Sequence, residues 1–224
     1  MGIFDFNFSF GTKQSKNVRE LSTDELSKAK FQARIAIVDD EEVPNMENLQ
    51  NDGYNTLKYS DILNMDEFIN KKHHVLILDI QGVGKKLAGD LEGWGLLEYL
   101  KKEHPHIVVI VFTGADWSIT KFKERADMAD FIIGKDSEYL NFKMKVDAAI
   151  KKAFSVSFHL EVLKNQIDNS YTDKSRIEEV IREYGMDQGK TMKKIRKITK
   201  NEASLQSADN VLSIISSIYS FIPA

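Results

Sequence analysis

Residues 34–154 show an alternation of short apolar runs and amphipathic stretches, which predicts strands and helices in turn. The apolar runs predict strands at 34–38, 54–58, 74–79, 106–112 and 130–134. The amphipathic stretches predict helices at 44–52, 61–71, 94–103 and 116–127, and a fifth helix that starts near residue 137. Three of the strands are almost continuously apolar, as expected when helices cover both faces of a parallel sheet. The pattern therefore predicts a doubly wound α/β domain whose ligand site lies at the carboxyl ends of the strands.

The apolar periodicity of the fifth helix continues from Phe154 to Ile167 and predicts either one long helix or two adjoining helices that enter the tail. Three further helices are predicted: one ends near Gly185, one covers the basic stretch Lys190 to Lys200, and one carries an apolar stripe from Leu205 to Ile222. The stripe is too short for a coiled coil, so we expect it to pack within a small helical bundle. Residues 155–224 are thus predicted to form an all-α output or oligomerisation region.

Residues 1–33 are predicted to be an N-terminal extension that lies outside the sheet. Four phenylalanines alternate there with small or polar residues, which would place them on one face of a strand: Phe4, Phe6, Phe8 and Phe10. We favour docking of this segment on its own chain, while docking on a second copy or on a partner stays open. Ser22 and Glu25 have the spacing of a capping box, which predicts a short helix through Phe31.

The composition is ordinary for a soluble protein, with 42% hydrophobic and 29% charged residues among 224. The absence of cysteine excludes disulfides, a thiol nucleophile and cysteine-based zinc or iron–sulfur sites. No apolar stretch reaches membrane-spanning length, and the start lacks the layout of a signal peptide. We therefore expect a cytoplasmic protein without a membrane partner.

Charge is unevenly distributed along the chain. Residues 151–224 carry 12 Lys and Arg against 9 Asp and Glu, a formal charge of +3, which leaves −6 for residues 1–150 because the whole chain has −3. The basic stretch Lys190 to Lys200 shows no recognisable helix-turn-helix sequence. A solvated helix face is therefore the favoured interpretation of this stretch, and nucleic acid is the less favoured partner.

Acidic residues stand at the carboxyl ends of two predicted strands. Asp39 and Asp40 follow the first strand, and Asp79 ends the third. Any one of them could be a plain exposed acid, but neighbouring carboxylates repel each other unless a proton or a cation lies among them. Oxygen ligands in a chain without cysteine favour Mg2+ over zinc. A carboxylate beside a metal-bound phosphoryl donor can become an aspartyl phosphate, so Asp79 is a candidate nucleophile of a phosphorylation switch.

Two further residues complete a set that follows the order of the strands, since Thr113 ends the fourth strand and Lys135 ends the fifth. Four motifs carry this set: Ile37–Glu41 (IVDDE), Leu76–Ile80 (LILDI), Val111–Gly114 (VFTG) and Gly134–Asp136 (GKD). Together they resemble the receiver domain of bacterial response regulators, the CheY-like family, over residues 34–154, about half of the chain. The resemblance implies a five-stranded parallel sheet of flavodoxin or CheY-like order 2-1-3-4-5, followed by an atypical helical region.

The resemblance also implies roles at a metal site. Asp40, Asp79 and the backbone carbonyl of Gln81 would bind Mg2+, and Asp39 would assist through a water molecule. Asp79 would accept a phosphoryl group from a histidine kinase or a phosphotransfer protein. The charge of the metal would offset that of the phosphoryl oxygens during transfer.

Further roles follow from the same resemblance. Thr113 would turn its hydroxyl toward the new phosphoryl group, and Lys135 would pair with one of its oxygens. The responding surface would comprise helix four, strand five and helix five, so we expect a homodimer through that surface or through the C-terminal helices. The chain is thus predicted to be a phosphoprotein of a two-component phosphorelay. We expect no enzymatic activity beyond catalysis of its own phosphorylation and dephosphorylation.

Several residues depart from the usual receiver pattern. A long glycine-bearing loop at 80–92 follows the third strand, and Asp136 follows Lys135 where many receivers have proline. The switch aromatic of the family usually lies three residues before the lysine, where this chain has Ile132, and Phe131 lies one residue earlier. Two alternatives therefore stay open, namely a phosphorylation-independent pseudo-receiver scaffold and a DNA-binding transcription regulator that uses the basic tail.

Overall fold

The computed structural model describes residues 17–114, 120–167 and 173–220. The phenylalanine-rich start lies outside these residues, so its predicted docking stays a prediction. The helix predicted at 116–127 is described from residue 120 onward. No helix in the described part of the chain is both long enough and apolar enough to cross a membrane.

Five parallel strands form one sheet: β1 (Arg34–Val38), β2 (Asn55–Tyr59), β3 (Val75–Asp79), β4 (Val108–Thr113) and β5 (Phe131–Gly134). Their order across the sheet is β2-β1-β3-β4-β5. This order confirms the predicted fold class. Because every strand runs in the same direction, all five carboxyl ends lie along one edge of the sheet.

Helices lie before, between and after the strands of this α/β unit: α1 (Thr23–Ala29), α2 (Pro44–Asn51), α3 (Met65–Asn70), α4 (Lys85–Ala88), α5 (Glu92–Glu103), α6 (Lys123–Ala126) and α7 (Tyr139–Ala153). The predicted capping box opens α1, because Glu25 N–H donates to Ser22 Oγ at 3.3 Å and Ser22 N–H donates to the Glu25 carboxylate at 2.8 Å. A short 3-10 turn at Lys30–Gln32 then leads to β1.

Alternate residues of the central strands enter two separate cores, one on each face of the sheet. Ile35 and Ile77 belong to the core that contains Phe142 of α7. Ala36 and Leu78 point the other way, into the core that contains Trp94 of α5. Burial of both strand faces explains why the apolar runs in the sequence are continuous instead of alternating.

Most element bounds agree with the sequence pattern, and the differences have local causes. The helix predicted at 61–71 is shorter, because Asn64 caps α3 by accepting the Glu67 N–H at 3.1 Å. The helix predicted from residue 94 begins two residues earlier, at Glu92. The fourth strand begins at Val108, two residues later than the apolar run suggests.

Four helices follow the α/β unit: α8 (Val156–Gln166), α9 (Lys174–Tyr184), α10 (Gln188–Ile198) and α11 (Glu202–Ser220). Of the two predicted arrangements, the structure has two adjoining helices. The first helix ends before Ser155, which caps α8 by accepting the Phe158 N–H. Apolar side chains of all four helices share one core, which includes Leu160, Ile181, Ile195 and Leu212. The C-terminal stripe therefore packs in a helical bundle, as expected.

Asp130 is a buried, ion-paired acid of the α/β unit, and its side chain is only 5% exposed. Its carboxylate forms ion pairs with Lys101 of α5 at 2.8 Å and with Lys152 of α7 at 2.7 Å, and it accepts the Val109 N–H at 2.7 Å. A buried charge is tolerated when it is paired and hydrogen-bonded in this way. Asp130 thereby joins β4 to the helices on both faces of the sheet.

Truncation of Phe142 tests the core on the α7 side. This side chain is fully buried, so Phe142→Ala is expected to lower the free energy of unfolding by about 3–5 kcal/mol. Met144 lies on the same helix but is 69% exposed, so Met144→Ala is expected to change it by less than about 0.5 kcal/mol. Urea unfolding followed by circular dichroism measures both variants. Equal losses of unfolding free energy in the two variants would show that Phe142 and Met144 do not lie on a buried and an exposed face of α7.

Candidate functional site

The register of the sheet brings the predicted acids together at its carboxyl edge. In the pairing of β1 with β3, Val38 lies opposite Leu78, so the residues that follow each, Asp39 and Asp79, are neighbours. The Asp39 N–H donates to the Tyr59 carbonyl at 3.0 Å, which holds the chain in line for one residue beyond β1. The proximity of these two carboxylates is therefore a consequence of strand pairing.

Three carboxylates form one cluster, with an oxygen from each of Asp39, Asp40 and Asp79 lying within 4.8 Å of the others. Asp39 is 1% exposed and Asp79 is 2% exposed, whereas Asp40 faces solvent. Backbone N–H groups support both buried members: Glu41 donates to Asp39 Oδ1 at 2.8 Å, and Gln81 donates to Asp79 Oδ1 at 3.1 Å. The cluster thus has a buried interior and a solvent-facing side.

Lys135 places its ammonium group between the two buried carboxylates. Its Nζ atom lies 2.7 Å from Asp79 Oδ2 and 3.0 Å from Asp39 Oδ2, with Glu41 Oε2 further out at 3.6 Å. Lys135 directly follows β5, and its N–H donates to the Thr113 carbonyl at 2.9 Å. One cation from the fifth strand therefore balances acids from the first and third.

The protonation of the site reflects burial and mutual charge. Burial raises the pKa of Asp79, and the nearby Asp39 charge acts in the same direction, while Lys135 and the Gln81 N–H oppose the rise. Burial alone would lower the pKa of Lys135, but its bonds to Asp79 and Asp39 raise that pKa overall. Lys135 is consequently a cation throughout the physiological pH range, and ionised Asp79 is a costly buried charge.

Thr113 ends β4 at the same edge and is buried. It lies opposite Gly134 in the pairing of β4 with β5, so it stands one strand away from Asp79 and next to the residue that precedes Lys135. The structure thus brings all five predicted strand-end residues to one edge. Gln81 lies beside them through its N–H bond to Asp79, and its role as a metal ligand stays a prediction.

The loop after β3 packs closely against Asp40, the exposed member of the cluster. Gly82 has a φ of +83°, and a Cβ atom at this position would lie 2.5 Å from the Asp40 carboxylate oxygens. The Gly82 N–H donates to Glu92 Oε2 at 2.9 Å, and the Gly84 N–H donates to Asp61 Oδ1 at 2.6 Å. Two acids outside the predicted set therefore hold this loop in place.

Glu92 and Asp61 were missed by sequence reasoning because their partners are backbone N–H groups, which leave no side-chain pattern. One signal was available in the sequence. Gly93 stands next to Glu92 at the start of α5, and a Cβ there would lie 2.3 Å from the Asp79 carbonyl oxygen. A glycine in the first turn of a helix indicates close backbone approach, and here it marks the contact between α5 and the end of β3.

The cluster has a donor set that fits a hard divalent cation. In the described ranges it is the only group of three or more His, Cys, Asp or Glu side chains whose ligand atoms could reach one ion. All of its side-chain donors are carboxylate oxygens, and oxygen-only coordination suits Mg2+ better than zinc. The partly solvent-facing position of Asp40 also leaves room for water ligands, which Mg2+ usually retains.

No protein-family model and no curated protein matches the sequence. Solved structures that are similar to this chain are response regulator proteins. The receiver domain of NtrX from Brucella abortus is 25% identical and has a TM-score of 0.44, with coverage of 52% of this chain and 98% of that domain. The receiver-domain protein from Methanospirillum hungatei is 25% identical with a TM-score of 0.45, covering 54% of this chain and 95% of that one.

A third similar structure is the response regulator TrrA from Thermotoga maritima, solved in complex with Mg2+ and a beryllium fluoride. It is 23% identical, has a TM-score of 0.43, and covers 52% of this chain and 98% of TrrA. The similarity extends over about half of this chain in each case. The function proposed below rests on the geometry of the acidic cluster.

Neutralisation of Asp79 tests the electrostatics of the site. Because burial raises the pKa of Asp79, the folded state binds a proton more tightly than the unfolded state, and wild-type stability falls as pH rises from the unfolded pKa through the folded pKa. In metal-free buffer Asp79→Asn should therefore raise the free energy of unfolding at neutral pH. The gain should vanish below about pH 4, where Asp79 is protonated in both states.

Urea unfolding of wild type and Asp79→Asn across this pH range, with a chelator present, measures the effect. Asp136→Asn is the control, since Asp136 is an exposed acid at the same edge, and its effect should stay below about 0.5 kcal/mol at each pH. A destabilising Asp79→Asn substitution at neutral pH, or a gain that does not depend on pH, would contradict the described electrostatics.

Proposed function

We propose that this protein is a response-regulator-like signalling protein that accepts a phosphoryl group on Asp79 in a two-component phosphorelay. One observation carries the proposal: the Lys135 ammonium group bridges two buried carboxylates, Asp39 and Asp79, at the carboxyl edge of a doubly wound sheet. A buried carboxylate that lies beside a fixed cation and a solvent-exposed acid, here Asp40, is suited to nucleophilic attack on a phosphoryl group. The donor would be a histidine kinase or a phosphotransfer protein.

The chemistry needs a carboxylate nucleophile and positive charge around the transferred group. An oxygen of Asp79 bonds to phosphorus while the P–N bond of a donor phosphohistidine breaks, and the departing imidazole nitrogen keeps the electron pair and takes up a proton. Lys135, held as a cation by its two acidic partners, would pair with a phosphoryl oxygen. Thr113, one strand away, would supply a hydroxyl to the same group.

Asp39, Asp40, Asp79 and the backbone carbonyl of Gln81 would hold Mg2+ at this site. When bound, the ion supplies positive charge that offsets the charge on the phosphoryl oxygens. The protein would act as its own catalyst for phosphorylation and dephosphorylation, and we propose no separate substrate to be turned over.

A change at the phosphorylated site would reach the C-terminal helices along a short stretch of the main chain. A phosphoryl group adds about 1.5 to 2 negative charges at the site, which draws Lys135 toward it. Lys135 follows β5, and α7 begins four residues later at Tyr139. Since α7 leads through Phe154 directly into α8, a change at β5 would reach the C-terminal helices, and an oligomeric partner through α7 or these helices fits the same route.

Phosphorylation of the purified protein tests the proposal directly. Incubation of wild type with acetyl phosphate and Mg2+, followed by intact-mass analysis, should show the addition of one phosphoryl group. Asp79→Asn should show none, because it removes the nucleophile. Asp136→Asn is the matched control and should be modified like wild type. The proposal is rejected if wild type gains no phosphoryl group or if Asp79→Asn gains the same amount, and a phosphorylation-independent scaffold would then remain.

Metal binding is tested separately by thermal unfolding with and without Mg2+. A ligand that binds only the folded state stabilises it by about 2.7 kcal/mol at a concentration 100 times its Kd, so Mg2+ should raise the Tm of wild type, and a chelator should reverse this. Asp40→Asn should raise the Mg2+ concentration needed for the same increase in Tm at least about tenfold. Changes around a metal typically weaken its binding by that factor or more. Asp136→Asn should respond like wild type, and an unchanged response of Asp40→Asn would exclude Asp40 as a ligand.

A further inference from the structure

The carboxylate of Glu92 binds the backbone of the loop that follows Asp79. Glu92 is the first residue of α5, and its Oε2 atom accepts the Gly82 N–H at 2.9 Å. Its other oxygen, Oε1, lies 3.5 Å from the Lys85 ammonium nitrogen. Both oxygens therefore have a partner, and these two contacts set the orientation of the carboxylate beside the loop.

The start of α5 is packed against the end of β3, and this packing sets the position of Glu92. A Cβ atom at Gly93 would lie 2.3 Å from the Asp79 carbonyl oxygen and 2.6 Å from the Ile80 Cα atom, so glycine is needed for the two segments to come so close. Trp94, the next residue, is 2% exposed and belongs to the apolar core on that face of the sheet. Glu92 is therefore carried by a part of α5 that is fixed relative to the backbone of Asp79.

The backbone of Glu92 has a conformation that residues with a side chain rarely adopt. Its φ is +49° and its ψ is −135°, and Lys72 is the only other non-glycine with a positive φ among the described residues. Glycine adopts this conformation without strain. Strained backbone persists only where surrounding contacts fix it, and it occurs preferentially at functional sites. The contacts of the Glu92 side chain are therefore made at a cost to its backbone.

The Gly82 N–H belongs to the same peptide group as the Gln81 carbonyl, so Glu92 acts on both. A peptide group is planar, and in the trans form its N–H and its C=O point in opposite directions. No peptide bond in the described part of the chain is cis. The bond from the Gly82 N–H to Glu92 thus fixes the direction of the Gln81 carbonyl, which points away from Glu92. This carbonyl is the backbone ligand expected for Mg2+.

The same short segment contacts two members of the acidic cluster. A Cβ atom at Gly82 would lie 2.5 Å from both carboxylate oxygens of Asp40, so the Gly82 backbone lies directly against this exposed acid. The Gln81 N–H donates to Asp79 Oδ1 at 3.1 Å. Glu92 itself is not among the carboxylates whose oxygens are close enough together to reach one ion. Its contact with the cluster is therefore indirect and passes through the backbone of residues 81 and 82.

We propose that Glu92 is a positioning residue of the Mg2+ site, which orients the Gln81 carbonyl toward the ion by binding the Gly82 N–H. The inference rests on the Mg2+ site of the proposed function. A carboxylate that accepts an N–H also polarises the peptide group, which makes its carbonyl oxygen a better ligand. Loss of a partner that supports a metal ligand typically weakens metal binding by about 10–100-fold. Glu92 should thus raise the affinity for Mg2+ without being a ligand.

A Mg2+ titration of the full chain, followed by NMR, tests the proposal without a phosphoryl donor. In an HNCO spectrum one peak joins the Gly82 N–H to the Gln81 carbonyl, and this peak should move as Mg2+ binds wild type. Glu92→Ala should shift the Gly82 N–H signal in metal-free buffer and raise the Kd for Mg2+ about tenfold or more. Glu92→Gln keeps an oxygen that can accept the N–H, so its Kd should lie closer to that of wild type than to that of Glu92→Ala.

Asp90→Ala is the matched control, since Asp90 is an exposed acid of the same loop and its truncation removes the same charge. Its Kd should stay within about twofold of wild type, because solvent and salt screen an exposed charge. Circular dichroism checks that each variant is folded. If Glu92→Ala is not folded, Glu92→Gly takes its place, because glycine suits the backbone at this position and also lacks the carboxylate.

Three results would overturn the role of Glu92. Equal Kd values for Glu92→Ala and Asp90→Ala would show that the carboxylate does not support the ion, and equal losses in Glu92→Gln and Glu92→Ala would show an effect of charge alone. Absence of Mg2+ binding by wild type would end the metal site and this inference together. A chain that binds Mg2+ as expected but takes up no phosphoryl group from acetyl phosphate would instead refute the proposed function and leave the role of Glu92 intact.

Discussion

The Lys135 ammonium group lies between Asp39 and Asp79, and the geometry of the whole edge of the sheet depends on this contact. Two neighbouring carboxylates that are almost fully buried would repel each other and lose their hydration. The lysine can offset that cost because β5, β4, β3 and β1 lie side by side in this order, which brings carboxylates from two distant segments of the chain within 3.0 Å of its ammonium nitrogen. The strand order is thus a condition for the site as well as a description of the fold.

A second constraint comes from the loop that follows Asp79. Its backbone N–H groups are bound by the side chains of Glu92 and Asp61, and Gly82 approaches Asp40 so closely that a side chain at that position would collide with the carboxylate. The cluster is therefore bordered by the Lys135 ammonium group and two backbone N–H groups on one side and by Gly82 on another. The open direction, along Asp40, is the one by which a metal ion or a phosphoryl donor would enter.

The sequence pattern was sufficient for a parallel sheet and for the approach of Asp39 to Asp79, because buried parallel strands give unbroken apolar runs and parallel strands share one carboxyl edge. The strand order followed only from the resemblance to receiver domains. It could not find Glu92, since the partner of this side chain is a backbone N–H and its position depends on how the loop turns back. It also could not show whether the cations of the basic stretch Lys190 to Lys200 form ion pairs, because that depends on how α10 packs. Among the described residues they form none, although Glu202 and Asp209 line a groove together with three of them.

The bridging contact also explains how one covalent change could alter the fold locally. If Asp79 became an acyl phosphate, as proposed, its carboxylate charge would be lost, so Lys135 would lose one of its two close partners and could pair with a phosphoryl oxygen instead. Asp39, which is 1% exposed, would then depend more strongly on the Glu41 N–H that donates to it. The Lys135 N–H donates to the Thr113 carbonyl, so we would expect such a change to act first on the Lys135 side chain and on the segment between β5 and α7. That segment leads through α7 into the helical bundle.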